Sequence, residues 1–199
     1  MNLDYETVKS NFFASKFNGC KEFFIENNCI LELGYYEILD ENLNEAKKLF
    51  NEIKDEDIRA QWALFLISMM QDNVISYPTY FELRNFLEID LNILIINYKG
   101  EYVQNVLKYA DFLSKINPEV YKFFARVFYN NDFKKEGLQL LLKAKETFYV
   151  DPELHYLLAC AYLNNGDKKQ ALYYSKTCQR ILPEYFPAVN LEKKLLSIA

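Results

Sequence analysis

The sequence predicts an all-α protein made of stacked antiparallel helix hairpins, and three observations carry that expectation. The stretch from Asn117 to Glu184 repeats itself. A shift of 34 residues lays Asn117-Pro118-Glu119-Val120-Tyr121 on Asp151-Pro152-Glu153-Leu154-His155, Asn130-Asn131 on Asn164-Asn165, and Lys134-Lys135 on Lys168-Lys169. Helix-turn-helix arrays have this period. Within the last copy, Leu154, Leu157, Leu158, Ala161 and Tyr162 recur at helical spacing. After Asn165-Gly166, so do Ala171, Tyr174, Ser175, Cys178, Ile181 and Leu182. Finally, five Gly and five Pro leave little material for the many tight turns of an all-β chain, while 16 Tyr and 16 Phe argue against disorder. Repeats of this kind share one continuous core, so residues 1–199 are expected to form a single domain.

In chain order, Leu3 to Phe17 reads as a first helix, with Tyr5, Val8, Phe12 and Phe13 on one side, and Cys20 to Glu26 as a short second arm. Asn28 opens a repeat over residues 28–56, with arms Cys29 to Leu39 and Leu43 to Ile53 joined by Asp40-Glu41-Asn42. The acidic run Lys54-Asp55-Glu56-Asp57 sits where a helix dipole favours negative charge, ahead of an apolar helix Ile58 to Gln71 containing Trp62. Asp72 to Tyr77 is the longest connection; Pro78 starts a helix reaching about Leu87. Asp90 to Lys99 and Glu101 to Lys115 are expected to form a hairpin joined at Gly100, with Ile93 and Asn105 facing each other. The repeats at 117–150 and 151–184 each open on a capping residue, Asn117 or Asp151, followed by Pro at the first helical position. Residues 185–198 form a capping helix whose Glu192, Lys193 and Lys194 solvate the end of the array.

A pair of small residues marks the hairpins. Ala125 and Gly137 are 12 apart, as are Ala159 and Ala171, and Gly34 and Ala46. One small residue on each arm lets two helix backbones approach closely where they cross. With Leu158, Ala159, Tyr162, Ala171, Cys178 and Pro183 in the last copy, and Leu33, Gly34, Ala46 and Phe50 in the early one, the chain resembles the tetratricopeptide repeat (TPR) family. The resemblance implies a right-handed superhelical solenoid of five to six repeats plus the capping helix. It also implies a non-catalytic protein-protein interaction module or adaptor that binds a peptide or helix of a partner protein in its concave groove. A chaperone-like secretion or assembly factor is the alternative, and a nucleic-acid-binding helical array a further one.

The groove would be lined by first-arm residues that do not pack on the second arm. These are Glu119, Lys122, Phe123, Arg126, Tyr129 and Asn130 in one copy, and Glu153, Tyr156, Leu157, Cys160, Leu163 and Asn164 in the next. Lys122, Arg126, Tyr129, Asn130, Tyr156 and Asn164 are the candidate partner-binding set. Lys122 and Arg126, four apart on one turn, suit an acidic segment through charge-assisted hydrogen bonds.

No catalytic constellation, cofactor motif or metal-ligand spacing is present. GxxxxGK[ST] and GxGxxG are missing, and Asp40, Asn42 and Asn44 lack the Gly and bidentate Glu that a calcium loop needs. His155, the one histidine, falls at the bulky position that opens the repeat's packing face, where the previous copy has Tyr121, and reads as a half-buried structural imidazole. Glu37 with Asp40 or Glu41 reads as a solvated carboxylate face, and Cys20, Cys29, Cys160 and Cys178 as buried free thiols. Net charge is −5, with −8 over residues 1–100 and +3 over 101–199, so a general nucleic-acid footprint is missing. The free thiols, the lack of a signal-like amino terminus and the lack of a run of about 20 apolar residues point to a cytoplasmic protein without a membrane span.

Overall fold

The computed structural model describes residues 4–197, and among these it is entirely helical and loop. Leu3 and residue 198, which the sequence places in the first and last helices, lie outside the described residues. The helices are α1 (Tyr5–Phe13), α2 (Cys20–Glu26), α3 (Ile30–Leu39), α4 (Leu43–Ile53), α5 (Ile58–Met70), α6 (Tyr80–Ile96), α7 (Gly100–Lys108), α8 (Ala110–Ser114), α9 (Val120–Asn130), α10 (Lys134–Thr147), α11 (Pro152–Asn164), α12 (Lys168–Ile181) and α13 (Phe186–Ser197). The chain divides into two compact units, Met1–Phe112 and Leu113–Ala199.

Four hairpins, α3/α4, α6/α7, α9/α10 and α11/α12, turn in the same way. The residue that ends the first arm is left-handed in each: Glu41 (φ 66°), Tyr98 (φ 60°), Asp132 (φ 67°) and Gly166 (φ 81°). The next amide closes a six-residue loop back onto the helix. Asn42 N bonds Glu37 O at 2.9 Å, Lys99 N bonds Leu94 O at 2.9 Å, Phe133 N bonds Phe128 O at 3.0 Å and Asp167 N bonds Tyr162 O at 2.9 Å. This Schellman arrangement satisfies carbonyls that the helix end would leave bare. The second arm starts two residues on, at Leu43, Gly100, Lys134 or Lys168.

Counting back seven residues from each left-handed position reaches Gly34, Leu91, Ala125 and Ala159; five residues forward lies Ala46, Val103, Gly137 or Ala171. All the non-glycine members are buried. By the register of its turn, Leu91 and Val103 rather than the expected Ile93 and Asn105 take the places of the small pair in the α6/α7 hairpin, which keeps the turn without that pair. At Gly34 an added Cβ would stand 2.5 Å from the Phe50 ring, and at Gly137 it would stand 3.1 Å from the backbone nitrogen of Tyr129. These two glycines are close-approach residues. Hydrogen would not be replaced there without displacing a buried ring or a backbone.

The amino-terminal unit departs from the sequence expectation in instructive places. α1 ends at Phe13 rather than Phe17, because Ser15 turns left-handed at φ 59°. α6 is one continuous helix through Asp90, where the sequence predicts the first arm of a new hairpin to begin. Asp90 is 1% exposed; it sits mid-helix as the acceptor for Arg59, for Trp62 Nε1 at 2.6 Å and for Tyr35 OH at 3.0 Å. Burial pushes its carboxyl above the usual range, against the guanidinium and the donors that favour the ionised form. The helix start lies instead at Thr79, whose hydroxyl accepts from Glu82 N at 3.2 Å while Glu82 accepts from Thr79 N at 2.6 Å, a capping box. Glu37 is not solvated either: it is 5% exposed and paired to Lys21 at 2.8 Å. Likewise Glu32 takes the Tyr5 hydroxyl at 2.6 Å and Lys9 at 3.2 Å.

In the carboxyl-terminal unit, α11 begins as expected, with Asp151 accepting from Glu153 N and Leu154 N. In the copy before it, Asn117 caps a turn through Glu119 N at 2.9 Å; α9 proper starts at Val120, so Pro118 lies in that turn. α13 continues the first-arm register: Lys193 takes the place of Ala159 one period earlier and is exposed.

Two substitutions separate the crossing from the turn. Gly34→Ala is expected to lower unfolding free energy by about 1–3 kcal/mol through overpacking against Phe50. Tyr98→Gly, at a 95% exposed left-handed residue, is expected to raise it by about 1 kcal/mol. Both are read by urea titration of the fluorescence of Trp62, the sole tryptophan. Equal effects of the same sign would contradict the assignment.

Candidate functional site

The first arms α9 and α11 of the carboxyl-terminal unit hold every residue of the candidate set. Lys122 lies on the first turn of α9, but not as a solvated or ligand-seeking cation. It is 3% exposed, and its ammonium donates to Asp151 Oδ2 at 2.5 Å and Glu153 Oε2 at 2.8 Å, with Glu119 Oε1 at 3.8 Å. Burial alone would push the Lys122 ammonium down; the bonds to Asp151 and Glu153 outweigh it, and its pKa rises. Burial likewise pushes Glu153 up, and Lys122 and Arg126 outweigh this, so its pKa falls. Arg126 reaches the second oxygen of the same carboxylate, with its Nη1 2.7 Å from Glu153 Oε1, and lies over the Phe123 ring. Asp151 also caps α11. A cation on one repeat thus neutralises the cap and the first-turn acid of the next, so Lys122 belongs to the framework.

One helical turn further along, a second bond links the arms: Asn164 Nδ2 donates to the Tyr129 hydroxyl at 2.6 Å. Between the two links lies a pocket of about 140 Å³ lined by Ala125, Arg126, Tyr129, Asn130, Leu141, Leu157 and Cys160. Its floor is apolar because Ala125 carries only a methyl group and Leu141 is drawn in from α10, which Gly137 lets pack closely. Lys134 sits beside the pocket wall, its Nζ bonded to Tyr129 O at 2.6 Å and 4.3 Å above the Tyr129 ring. Its partner there is Asp132, at 3.2 Å and almost fully exposed.

On α11, Tyr156, Leu157, Cys160 and Leu163 are half-buried and Asn164 is exposed. Tyr156 shares a hydrogen bond with the Cys160 thiol, which with burial pushes its hydroxyl up to about 12, and its ring meets Tyr185 at 5.6 Å. Phe123, the counterpart of Leu157, is buried and adds nothing to an open face. The structure thus brings Arg126, Tyr129 and Asn130 together with Leu157 and Cys160, and sets Lys122 apart. Leu141 was missed: it lies on a second arm, and only the close approach at Gly137 carries it through.

His155 is fully buried, more so than a half-buried imidazole. Its Nε2 donates to Tyr149 O at 2.7 Å, its Nδ1 meets no donor, and the ring stacks 6.0 Å from Tyr174. Burial lowers its pKa, and protonation would create a second N–H with nowhere to donate. Among the described residues no group of three or more His, Cys, Asp or Glu side chains is placed to hold a metal, and no helix is long and apolar enough to cross a membrane.

Lys122→Met is expected to cost about 3 kcal/mol at pH 7, because Asp151 is left buried without its cation. Lowered, the Glu153 pKa contributes stability that is present above about 4.5 and lost as pH falls through the folded value. The gap between wild type and Lys122→Met, followed by far-UV circular dichroism in urea, should therefore shrink below pH 4.5. A pH-independent or negligible gap would contradict the buried cluster.

No family model matches the sequence, and no curated protein matches it. Among solved structures it is similar to YrrB, described as a TPR protein with an unusual peptide-binding site. The two are 14% identical with a TM-score of 0.44, over 94% of this chain and 89% of that chain. The hairpins described above define the fold as all-α and TPR-like.

Proposed function

We propose that the chain is a non-catalytic interaction module of the cytoplasm, and that the first-arm face formed by α9 and α11 receives a segment of a partner protein. The observation that carries this reading is the pocket between the two inter-arm links. A row of half-buried and exposed side chains, Tyr156, Leu157, Cys160, Leu163 and Asn164, runs along it. Arg126, Tyr129, Asn130, Tyr156 and Asn164 make the contacts, with Leu157 and Cys160 added. Lys122 contributes by holding α11 in register. Such a mixture of rings, apolar side chains and amides suits a peptide, with the aromatic and arginine positions carrying most of the energy. His155 is committed to packing, and the groove assembles no nucleophile with a base.

The immobilised protein, exposed to lysate of its own source, is expected to retain a defined set of proteins. Tyr156→Glu/Leu157→Glu should lose them, while Tyr173→Glu, on the exposed side of α12, should keep them. Loss from both variants or from neither would overturn the placement of the face.

A further inference from the structure

We propose that the pocket between α9 and α11 is an anchor site for one uncharged apolar side chain of a partner segment, with an acidic residue within two positions of that anchor. The inference rests on the interaction-module reading above and gives it a partner chemistry. Size comes first. About 140 Å³ is close to the roughly 150 Å³ of an apolar cavity that accepts one benzene molecule, so the pocket holds a single Leu, Met or Phe side chain. Six of its seven lining residues, Ala125, Tyr129, Asn130, Leu141, Leu157 and Cys160, carry no charge, and the seventh, Arg126, has its guanidinium bonded to Glu153.

Charge complementarity supplies the rest. Lys134 stands on the Tyr129 wall, and among the described residues its ion-pair partner is Asp132, whose side chain is 93% exposed. An ion pair this open contributes little and exchanges readily for an incoming carboxylate. One period on, Lys168 and Lys169 are exposed at the same turn, and the unit from Leu113 to Ala199 carries thirteen basic against nine acidic residues. The carboxylates that Lys122 and Arg126 would have sought are already in place as Asp151 and Glu153. The guest's acid therefore pairs at the turn, beside the pocket, and its apolar side chain makes the anchor.

The test uses the intact protein and a phage-displayed library of random dodecapeptides. Recovered peptides should share a Leu, Met or Phe with Asp or Glu within two residues. As purified peptides they should lose roughly ten-fold or more in affinity when the apolar residue becomes Ser, as expected for loss of a filled apolar pocket. Cys160→Phe, which fills the pocket, should abolish binding. Cys160→Ala, which enlarges it and is free of any overpacking effect on folding, should shift selection toward larger side chains. Lys134→Glu should weaken the acidic peptides several-fold and remove the salt dependence. Peptides that ignore Cys160→Phe and Cys160→Ala but are lost from Tyr156→Glu would overturn the pocket and leave the face. Peptides indifferent to all of these variants, or no enrichment at all, would overturn the inference; indifference to Tyr156→Glu would sink the face as well.

Discussion

The close crossing of two helix backbones is the constraint on which the hairpins depend. It asks for a small residue on each arm, 12 positions apart, and a turn that brings the second arm round within two residues of a left-handed position. Where the pair is Gly34 and Ala46, or Ala125 and Gly137, arms meet closely enough that a methyl group more or less matters. Only Gly166 of the four turn positions is a glycine. Glu41, Tyr98 and Asp132 hold strained backbone conformations because the six-residue loop behind each is satisfied by hydrogen bonds. Geometry prevails over residue preference at these turns.

Charges then lock elements together from inside. Each unit holds acids on, or at the start of, its first arms, buried except for the half-buried Glu153, and supplies their counter-charges from a neighbouring element: Lys9 to Glu32, Lys21 to Glu37, Arg59 to Asp90, and Lys122 to Asp151 and Glu153. Such pairs add little net stability compared with apolar packing, but a wrong register would strand a charge, so they specify which neighbour fits.

The helical repeats were legible because period and small pairs are written locally. Eight of the predicted helix boundaries around α3, α4, α5 and α11 fall within a residue of the observed ones. Asp90 misled because an acid near the middle of an apolar stretch looks like a helix start, and only its three-dimensional donors Arg59, Trp62 and Tyr35 explain it as a buried acceptor. The places equivalent to the small pair in α6/α7 are not legible, because Leu91 and Val103 are not small and the left-handed Tyr98 that sets the register carries no sequence mark. Lys122 and Arg126 were correctly seen as neighbours on one turn. Their partners lie 27 to 31 residues away, and a spacing rule within one helix does not reach that far. The signal that would have found them is the pair of acids at Asp151 and Glu153, at the start of the next first arm.

The most direct test of the account is amide hydrogen exchange of the intact protein with and without a peptide selected by it. The account predicts slowed exchange along residues 126–130 and 156–164, on α9 and α11, with α10 and α12 changed less. Protection confined to the second arms, or to the amino-terminal unit, would contradict it.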